Sequence, residues 1–395
     1  MLTVRDVAVA GKRVLVRVDF NVPLDKKTGG VADDARIRAA LPTIHYLLNN
    51  GAGVVLCSHL GRPDGQVVEG LRMAPAARRL SQLLDIAVPV APDCVGLPVE
   101  EMVSQLKEGS VMMLENLRFH PEEEKNDPQF AQSLARLADL YVNDAFGTAH
   151  RAHASTSGVA SYLPAVAGLL MEKEVEYLGR LLTNPEPPFA AILGGAKVSD
   201  KVAVLEQLIA RVDALLLGGA MACTFLKAEG LSVGRSRVEE DRLDFARSIL
   251  DKAERRGVVV IMPRDVVVAD EISPQAVPQV VAVEKVPSDK LILDVGPETI
   301  AAFTEELRNC KTVLWNGPLG VFEMEPFAQG TRALARLLAG LKATTIVGGG
   351  ETVAAVESLG LGEKITHLST GGGATLEFLE GRRLPGVAAL LDRQK

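Results

Sequence analysis

One pattern repeats along the chain: a short run of β-branched and aliphatic residues, a loop, and then an amphipathic stretch. In the first half it predicts strands at residues 13–18, 53–58, 110–114 and 139–142 and helices at 35–49, 73–84, 99–107 and 128–138. In the second half it predicts strands at 189–193, 214–217, 258–262, 291–294, 312–315, 344–347 and 366–369. Because alternating strands and helices build parallel sheets covered by helices, the sequence predicts an α/β fold.

The length of 395 residues favours two domains, since a single hydrophobic core seldom grows beyond about 300 residues. The boundary falls near residues 167–182, whose sequence AGLLMEKEVEYLGRLL predicts one long helix. A proline cluster at 185–188 follows it and predicts a stiff, exposed hinge. We therefore expect two Rossmann-like domains, each a parallel sheet flanked by helices, at residues 1–170 and 171–384.

Composition excludes several classes of protein. Hydrophobic residues make up 47% of the chain and charged residues 24%, as in an ordinary globular protein. A net charge of −7 argues against a general nucleic-acid binder, and the longest apolar stretches, 159–171 and 214–226, are too short to span a membrane. Four cysteines without CxxC spacing fit reduced thiols better than disulfides or structural zinc. We expect a cytoplasmic protein that binds neither nucleic acid nor membrane.

Cationic side chains follow the predicted strands of the first half, at the sheet edge where parallel-sheet proteins bind ligands. They are Arg62, Arg118, Arg151, His59, His120, His150 and His153, and Arg36 and Arg38 open the first predicted helix. A guanidinium group matches carboxylate and phosphate oxygens with paired hydrogen bonds. Any one of these cations alone is better explained by a neighbouring carboxylate. So many at one edge predict a site for a small anion with two charged ends.

His150 and His153 also have a spacing that metal ligands can have. A zinc site would need a third protein ligand, and the chain has neither an HExxH motif nor a cysteine pair to supply it. The alternative of a metal-dependent hydrolase therefore depends on these two histidines alone.

Glycine-rich loops follow the predicted strands of the second half, at residues 194–197, 218–219, 316–320, 348–352 and 371–373. Glycine lets the backbone approach a ligand closely, and a helix that follows directs its free N–H groups at phosphate. Neither GxxxxGK[ST] nor GxGxxG with an acidic partner is present. Lys197 and Lys201 lie four residues apart, on one face if this turn is helical. Together the loops predict a phosphate site, where Glu351 holds magnesium or caps a helix.

Seven segments carry a resemblance to a known family: RVDFNVPL (17–24), SHLGRP (58–63), LENLRFHPEE (114–123), YVNDAFGTAHRAHAS (141–155), GGAKVSDK (194–201), WNGPLGVFE (315–323) and STGGGATLEFLEG (369–381). Through them the chain resembles the phosphoglycerate kinase family along nearly its whole length. The resemblance implies phosphoryl transfer between ATP and the carboxylate of 3-phosphoglycerate, in glycolysis and gluconeogenesis. It also implies a monomer that uses Mg²⁺ with ATP or ADP and transfers the phosphoryl group in line after domain closure.

The resemblance further implies which residues act. The first domain is expected to bind the triose through Asp19, Phe20, Asn21, Arg36, His59, Leu60, Gly61, Arg62, Arg118 and Arg151. The second domain is expected to bind the nucleotide through Lys197, Lys201, Glu323, Gly349, Gly350, Glu351 and Thr352. Arg36, Lys197 and Lys201 are the expected catalytic residues, and residues 385–395 are expected to pack back on the first domain.

One position departs from the family pattern. The family usually has GGGD followed by Ser or Thr, with the Asp carboxylate on magnesium, whereas this chain has Glu351 before Thr352. Glutamate keeps the charge and the oxygen donors but is one methylene longer, and Mg²⁺ demands near-octahedral geometry. We expect activity to be retained, with a catalytically silent nucleotide-binding scaffold as the alternative.

Overall fold

The computed structural model describes residues 1–391. The chain divides into two compact units: unit 1 is Met1–Glu176 together with the segment that starts at Arg383, and unit 2 is Tyr177–Arg382. Each unit has its own sheet and its own hydrophobic core.

The centre of unit 1 is a parallel sheet. Its strands are β1 (Arg13–Arg17), β2 (Gly53–Cys57), β3 (Val111–Met113), β4 (Leu140–Asn143) and β5 (Ala165–Ala167). In the part of the chain that the structure describes, these five strands take the order β3-β2-β1-β4-β5. The run GVVLC in β2 is wholly buried and RVLVR in β1 is buried after its first residue, as in strands covered on both faces.

Helices connect these strands. They are α1 (Ala35–Asn49), α2 (Ala74–Leu84), α3 (Leu97–Ser104), α4 (Pro121–Glu124) and α5 (Pro128–Ala135). The buried apolar residues of α1 recur every three or four positions, at Ile37, Ala40, Ile44 and Leu47. One face of α1 therefore packs on the core of unit 1.

A long helix, α6 (Leu169–Thr183), begins in unit 1 and is anchored there at its first turn. Asp144 Oδ1 accepts hydrogen bonds from the backbone N–H groups of Leu170 at 2.9 Å and Met171 at 3.2 Å. The N–H of Leu169 donates to Thr43 Oγ1 at 2.9 Å. These bonds satisfy N–H groups that a helix start leaves without a partner in the helix.

Unit 2 has a larger parallel sheet and a separate antiparallel sheet. Its strands are β6 (Phe189–Leu193), β7 (Ala214–Leu217), β8 (Val259–Ile261), β9 (Asp265–Ala269), β10 (Gln279–Ala282), β11 (Leu291–Val295), β12 (Thr312–Asn316), β13 (Thr344–Gly348) and β14 (His367–Leu368). Among the described residues, six strands form the parallel sheet in the order β14-β13-β12-β6-β7-β8. The order of the three-stranded antiparallel sheet is β10-β9-β11.

The helices that follow α6 are α7 (Val202–Leu208), α8 (Met221–Ala228), α9 (Leu243–Arg256), α10 (Pro297–Leu307), α11 (Gln329–Gly340), α12 (Gly350–Ser358), α13 (Gly373–Leu379) and α14 (Pro385–Leu391). The last of these belongs to unit 1, where the N–H of Gly386 donates to the carbonyl of Ala149 at 2.8 Å. Residues 392–395, the end of the segment predicted to pack back, lie outside the described residues. No helix within residues 1–391 combines the length and the apolar character needed to cross a membrane.

The predicted α/β class is confirmed, and every predicted strand is present to within one residue at either end. The pattern failed on pairing: predicted strand 291–294 was expected in a parallel sheet, but it is β11, antiparallel to β9. Its run LILDV is as aliphatic as a buried parallel strand, and such a run does not reveal which strand it pairs with. Strands β5, β9 and β10 were not predicted.

Candidate active site

The loops that follow β1 and β2 are tied into one edge at the carboxyl ends of the strands. The N–H of Gly61 donates to Asn21 Oδ1 at 2.9 Å, and Asn116 Nδ2 donates to the carbonyl of Leu60 at 2.8 Å. Phe20 is fully buried beneath this edge. The predicted triose residues of the two loops are therefore held by direct bonds between the loops.

Asn116, after β3, is a residue that sequence analysis missed. Its Nδ2 also donates to the carbonyl of Leu71 at 2.8 Å, and its Oδ1 accepts from the N–H of Arg118 at 3.1 Å. The side chain is fully buried. The sequence signal that could have found it is an amide residue directly after a predicted strand, in the segment LENLRFH.

Arg36, at the start of α1, forms an ion pair with Asp19, after β1. The distance from Arg36 Nη1 to Asp19 Oδ2 is 2.7 Å, and 38% of the Arg36 side chain is exposed against 11% of that of Asp19. Part of the guanidinium therefore stays open to a ligand. Arg62 is exposed and has no ion pair or side-chain hydrogen bond within residues 1–391. Arg38 instead pairs with Asp34 on its own helix start, at 2.8 Å.

Arg118 is nearly buried, with 6% of its side chain exposed. Its Nη1 donates to the carbonyl of Gly61 at 3.0 Å, and its Nε lies 3.1 Å from Glu124 Oε1. Burial lowers the pKa of Arg118. Arg151 Nε donates to His150 Nε2 at 3.3 Å.

Two buried histidines lie among these arginines, His59 after β2 and His153 after β4. Burial, followed by the charges of Arg17, Arg118 and Arg36, holds the pKa of His59 well below its usual range. Burial and neighbouring arginines likewise lower the pKa of His153 to about 4. Both imidazoles are therefore neutral at neutral pH, and the arginines carry the positive charge of this edge.

His120 differs from these two histidines because it is bonded to a carboxylate. Its Nε2 lies 2.7 Å from Asp93 Oδ1, and the hydrogen bond to that carboxylate raises the pKa of His120. Among the described residues, Asp93, Cys94 and His120 form a group of potential metal ligands whose atoms lie within 4.8 Å of one another. His150 and His153, on which the hydrolase alternative depended, do not belong to that group.

In unit 2 the glycine loops after β6, β7 and β12 pack backbone against backbone. The N–H of Gly195 donates to the carbonyl of Pro318 at 2.9 Å, and that of Gly219 donates to the carbonyl of Leu319 at 3.1 Å. Gly317 has φ +98°, and a Cβ there would lie 2.3 Å from the carbonyl oxygen of Gly194. Glycine is thus required at this position by the contact between loops.

A cavity of about 400 Å³ opens beside these loops. Its walls are mostly apolar and come from the loops after β6, β7 and β12 and from β11, with Leu293 and Leu319 among them. The exposed carboxylates Glu323 and Glu351 also line it. A cavity of this size, with apolar walls and few polar groups, suits a small molecule with a flat apolar part.

Lys201 is a buried lysine in the loop after β6. Its Nζ donates to Asn316 Oδ1, and 7% of the residue is exposed. Burial lowers the pKa of Lys201 to about 8, against the opposing effect of the carboxylates of Asp200 and Glu351. Lys197, in the same loop, is half-buried.

The start of α12 carries four of the predicted nucleotide residues. Gly349, with φ +90°, immediately precedes the helix, and Gly350 and Glu351 lie in its first turn. Thr352 is fully buried, and its Oγ1 accepts a hydrogen bond from the N–H of Gly317 at 2.8 Å. The hydroxyl of Thr352 therefore joins α12 to the loop after β12.

Known proteins similar to this chain share one description. The profile of the family described as phosphoglycerate kinase matches residues 4–382. A phosphoglycerate kinase from Pelotomaculum thermopropionicum is 59% identical over 391 residues, which cover 99% of this chain and 99% of that protein. One from Microcystis aeruginosa is 60% identical over 386 residues, covering 97% of this chain and 96% of that protein.

Solved structures agree with these relatives. The structure of phosphoglycerate kinase from Coxiella burnetii matches with a TM-score of 0.90 and 44% identity, covering 100% of both chains. That from Pyrococcus horikoshii matches with a TM-score of 0.87 and 36% identity, covering 99% of this chain and 98% of the other. The chain belongs to the phosphoglycerate kinase family, the ATP-dependent phosphotransferases that act on 3-phosphoglycerate in glycolysis.

Proposed function

We propose that unit 1 binds 3-phosphoglycerate and that unit 2 binds ATP or ADP. The observation that carries this proposal is the set of arginines at the sheet edge of unit 1, with Arg36 and Arg62 open to solvent. 3-Phosphoglycerate has a carboxylate at one end and a phosphate at the other, and guanidinium groups bind both with paired hydrogen bonds. Asp19 and Asn21 hold the loops that present these donors.

The cavity in unit 2 suits the nucleoside, and the loops beside it suit the phosphates. Lys197 and Lys201 supply ammonium donors from the loop after β6. The backbone at Gly349 and Gly350 supplies N–H groups at the start of α12, where the helix dipole favours anions. Thr352 then acts by holding this helix start against the loop after β12.

Magnesium is part of this proposal, and the donor set of unit 2 fits it. Glu351 and Glu323 line the cavity with carboxylate oxygens, the hard ligands that Mg²⁺ prefers. We assign Glu351 as the protein ligand. When bound with the nucleotide, the ion would offset negative charge on the phosphate oxygens.

The acceptor in this reaction is already a carboxylate, so no general base is needed. One carboxylate oxygen of 3-phosphoglycerate attacks the γ-phosphorus of ATP, and the bond from that phosphorus to the bridging oxygen of ADP breaks. Arg36 and Lys197 neutralise charge on the transferring group, and Lys201 assists. Because the two substrates bind to different units, the units must close around them to align them and exclude water.

Replacing Lys197 by alanine tests the assignment of the nucleotide site. In Lys197→Ala we expect kcat to fall roughly 10²- to 10³-fold, because one cation aimed at the transferring group is lost. Affinity for 3-phosphoglycerate, measured by calorimetry, should stay within about twofold of the parent value because the triose binds to unit 1. Lys227→Ala, an exposed lysine of α8, is the matched control. Near-normal turnover in Lys197→Ala would remove this lysine from the mechanism.

A coupled assay for ADP formation separates an active kinase from a silent scaffold. We expect turnover that requires both magnesium and 3-phosphoglycerate. Replacing Glu351 by aspartate should change the magnesium concentration that gives half-maximal activity, because the carboxylate moves by one methylene. An unchanged magnesium requirement in Glu351→Asp would argue that this side chain does not reach the ion. The proposal also includes a monomeric, cytoplasmic enzyme, and light scattering should give the mass of one chain.

A further inference from the structure

Arg17, at the end of β1, is the largest charged side chain that is fully buried in unit 1. Its guanidinium makes hydrogen bonds on three nitrogens. Nε donates to Ser155 Oγ at 2.9 Å, Nη1 donates to the carbonyl of Val18, and Nη2 lies 3.1 Å from His59 Nδ1. Arg17 thus contacts His59, a predicted triose residue, and is itself shielded from solvent.

The charge of Arg17 is balanced through Ser155. The hydroxyl of Ser155 donates to Glu123 Oε1 at 2.6 Å, and its backbone N–H donates to Glu123 Oε2 at 2.9 Å. Glu123 is fully buried. A hydroxyl has one proton to give, so Ser155 donates it to the carboxylate and accepts from Arg17. Glu123, Ser155 and Arg17 form a directed chain of hydrogen bonds, here called the Glu123 relay.

The last member of this chain determines where His59 carries its proton. A guanidinium group has only donors, so the ring nitrogen 3.1 Å from Arg17 must be the one with a free lone pair. That nitrogen is Nδ1, which leaves the proton of a neutral imidazole on Nε2. The low pKa of His59, caused by burial and by Arg17, agrees with a neutral ring.

We propose that the Glu123 relay is a positioning device that fixes His59 as the neutral tautomer with its proton on Nε2. His59 then serves the triose site as an uncharged hydrogen-bond donor to an anionic oxygen, and the inference rests on the proposed function for that role. Ser155 and Glu123 act on His59 through Arg17, and Glu123 Oε1 also lies 3.9 Å from His153 Nδ1. The arrangement places donors at the site without adding a further cation to an edge that already holds several arginines.

The tautomer can be measured directly on the full-length protein labelled with ¹⁵N-histidine. The chain has six histidines, and loss of one signal in His59→Gln assigns the resonance of interest. Two-bond ¹H–¹⁵N correlation spectra distinguish a proton on Nε2 from one on Nδ1. We expect the Nε2–H form at pH 7 in the parent protein.

Arg17→Met removes the donor to His59. Ser155→Ala removes the hydroxyl that holds Arg17 Nε, which frees the guanidinium to turn toward Glu123 and away from His59 Nδ1. In both variants we expect the Nδ1–H tautomer to become populated and the KM for 3-phosphoglycerate to rise roughly five- to tenfold, the effect of one misplaced hydrogen bond. The KM for ATP should stay unchanged. Ser157→Ala is the matched control, because Ser157 Oγ donates to the carbonyl of His153 at 3.3 Å and not to the relay. A merely structural role would lower thermal stability without moving the tautomer.

Two results would overturn the relay: an Nδ1–H or doubly protonated His59 in the parent protein at pH 7, or the parent tautomer retained in Ser155→Ala and Arg17→Met. Ser155→Ala keeps the test decisive if Arg17→Met does not fold. Titration with 3-phosphoglycerate separates the relay from the assignment of the triose site. The expected tautomer in a His59 resonance that the triose leaves unmoved would support the relay and overturn that assignment.

Discussion

The two units offer different kinds of group to an anionic ligand. Unit 1 uses charged side chains, several of them buried, such as Arg17 and Arg118. Unit 2 uses backbone brought close by glycine, as at Gly317, with one buried lysine, Lys201, beside it. A site of the first kind depends on the partners that hold each charge, whereas a site of the second kind depends on the absence of side chains.

The difference also appears in how charge is balanced. In unit 1 two of the cations have a carboxylate near them: Asp19 lies beside Arg36, and Glu123 is joined to Arg17 through Ser155. In unit 2 the amine of Lys201 rests on a neutral amide oxygen, and burial lowers its pKa to about 8. An incoming phosphate would therefore give Lys201 Nζ a directly bonded anionic partner in place of a neutral amide oxygen.

The largest effect on activity is expected at Arg36, the partly exposed cation of unit 1. In Arg36→Ala we expect kcat to fall roughly 10²- to 10³-fold and the KM for 3-phosphoglycerate to rise, because charge on the transferring group loses a fixed partner. Steady-state kinetics with both substrates measures this. Arg38→Ala is the control on the same helix, since Arg38 pairs with Asp34. Equal losses in both variants would show that the helix start, and not the Arg36 charge, matters.

A backbone site should fail when it gains a single methyl group. In Gly317→Ala the new Cβ would meet the carbonyl of Gly194 in a region of φ that alanine disfavours, so we expect a loss of about 3 kcal/mol in stability and weaker ATP binding. Affinity for 3-phosphoglycerate should be unchanged. Gly340→Ala is the control, because nothing lies within 4 Å of its added Cβ. Parent-like ATP affinity in Gly317→Ala would break the distinction between the units.

The sequence predicts the strands well because each is an aliphatic run bounded by turn residues, as in the run FAAIL of β6. It also predicts which loops carry chemistry, because the carboxyl ends of parallel strands share one edge. Pairing across the small sheet of β9, β10 and β11 is a long-range property, so the same kind of run in β11 was placed in the wrong sheet.

Residues of the candidate site could be predicted from the sequence only where they lie in a loop that follows a strand. Arg62 follows a strand and is exposed, so its position alone suggests a ligand. Arg17 is the last residue of β1, and nothing local in the sequence indicates its contact with His59. Glu123 has the same side chain as the half-buried Glu122 and the exposed Glu124 next to it in PEEE, and yet it is fully buried. Such residues are found only once the partner 32 positions away, Ser155, is placed.

A smaller effect is expected from one buried carboxyl group in each unit. Burial raises the pKa of Asp144 in unit 1, and of Asp294 in unit 2, to about 7. A folded pKa above the unfolded one means that the folded state holds the proton more tightly, so stability falls as pH rises from about 4 to about 7. Each group should account for roughly 2 kcal/mol of loss between pH 5 and pH 8.

Urea unfolding of Asp144→Asn and Asp294→Asn at the two pH values measures this loss, with the exposed Asp251→Asn in α9 as control. We expect each buried variant to lose part of the pH dependence and the control to keep all of it. Parent-like pH dependence in one buried variant alone would show that the units differ in this respect as well.

The smallest effect is expected from the scaffold of unit 1, at the start of α5. Asp127 Oδ1 accepts hydrogen bonds from the N–H groups of Gln129 and Phe130 at 2.9 Å, so Asp127→Ala should cost about 1 kcal/mol of stability. Gln132→Ala, at an exposed position of α5, should be neutral. Because α5 packs on the turn that carries Ser155, the KM for 3-phosphoglycerate in Asp127→Ala tests whether the triose site depends on this helix. A normal KM for 3-phosphoglycerate in Asp127→Ala would mean that the Glu123 relay holds the site without help from α5. A raised KM would mean that a site built from side chains weakens when the helix beneath it is destabilised.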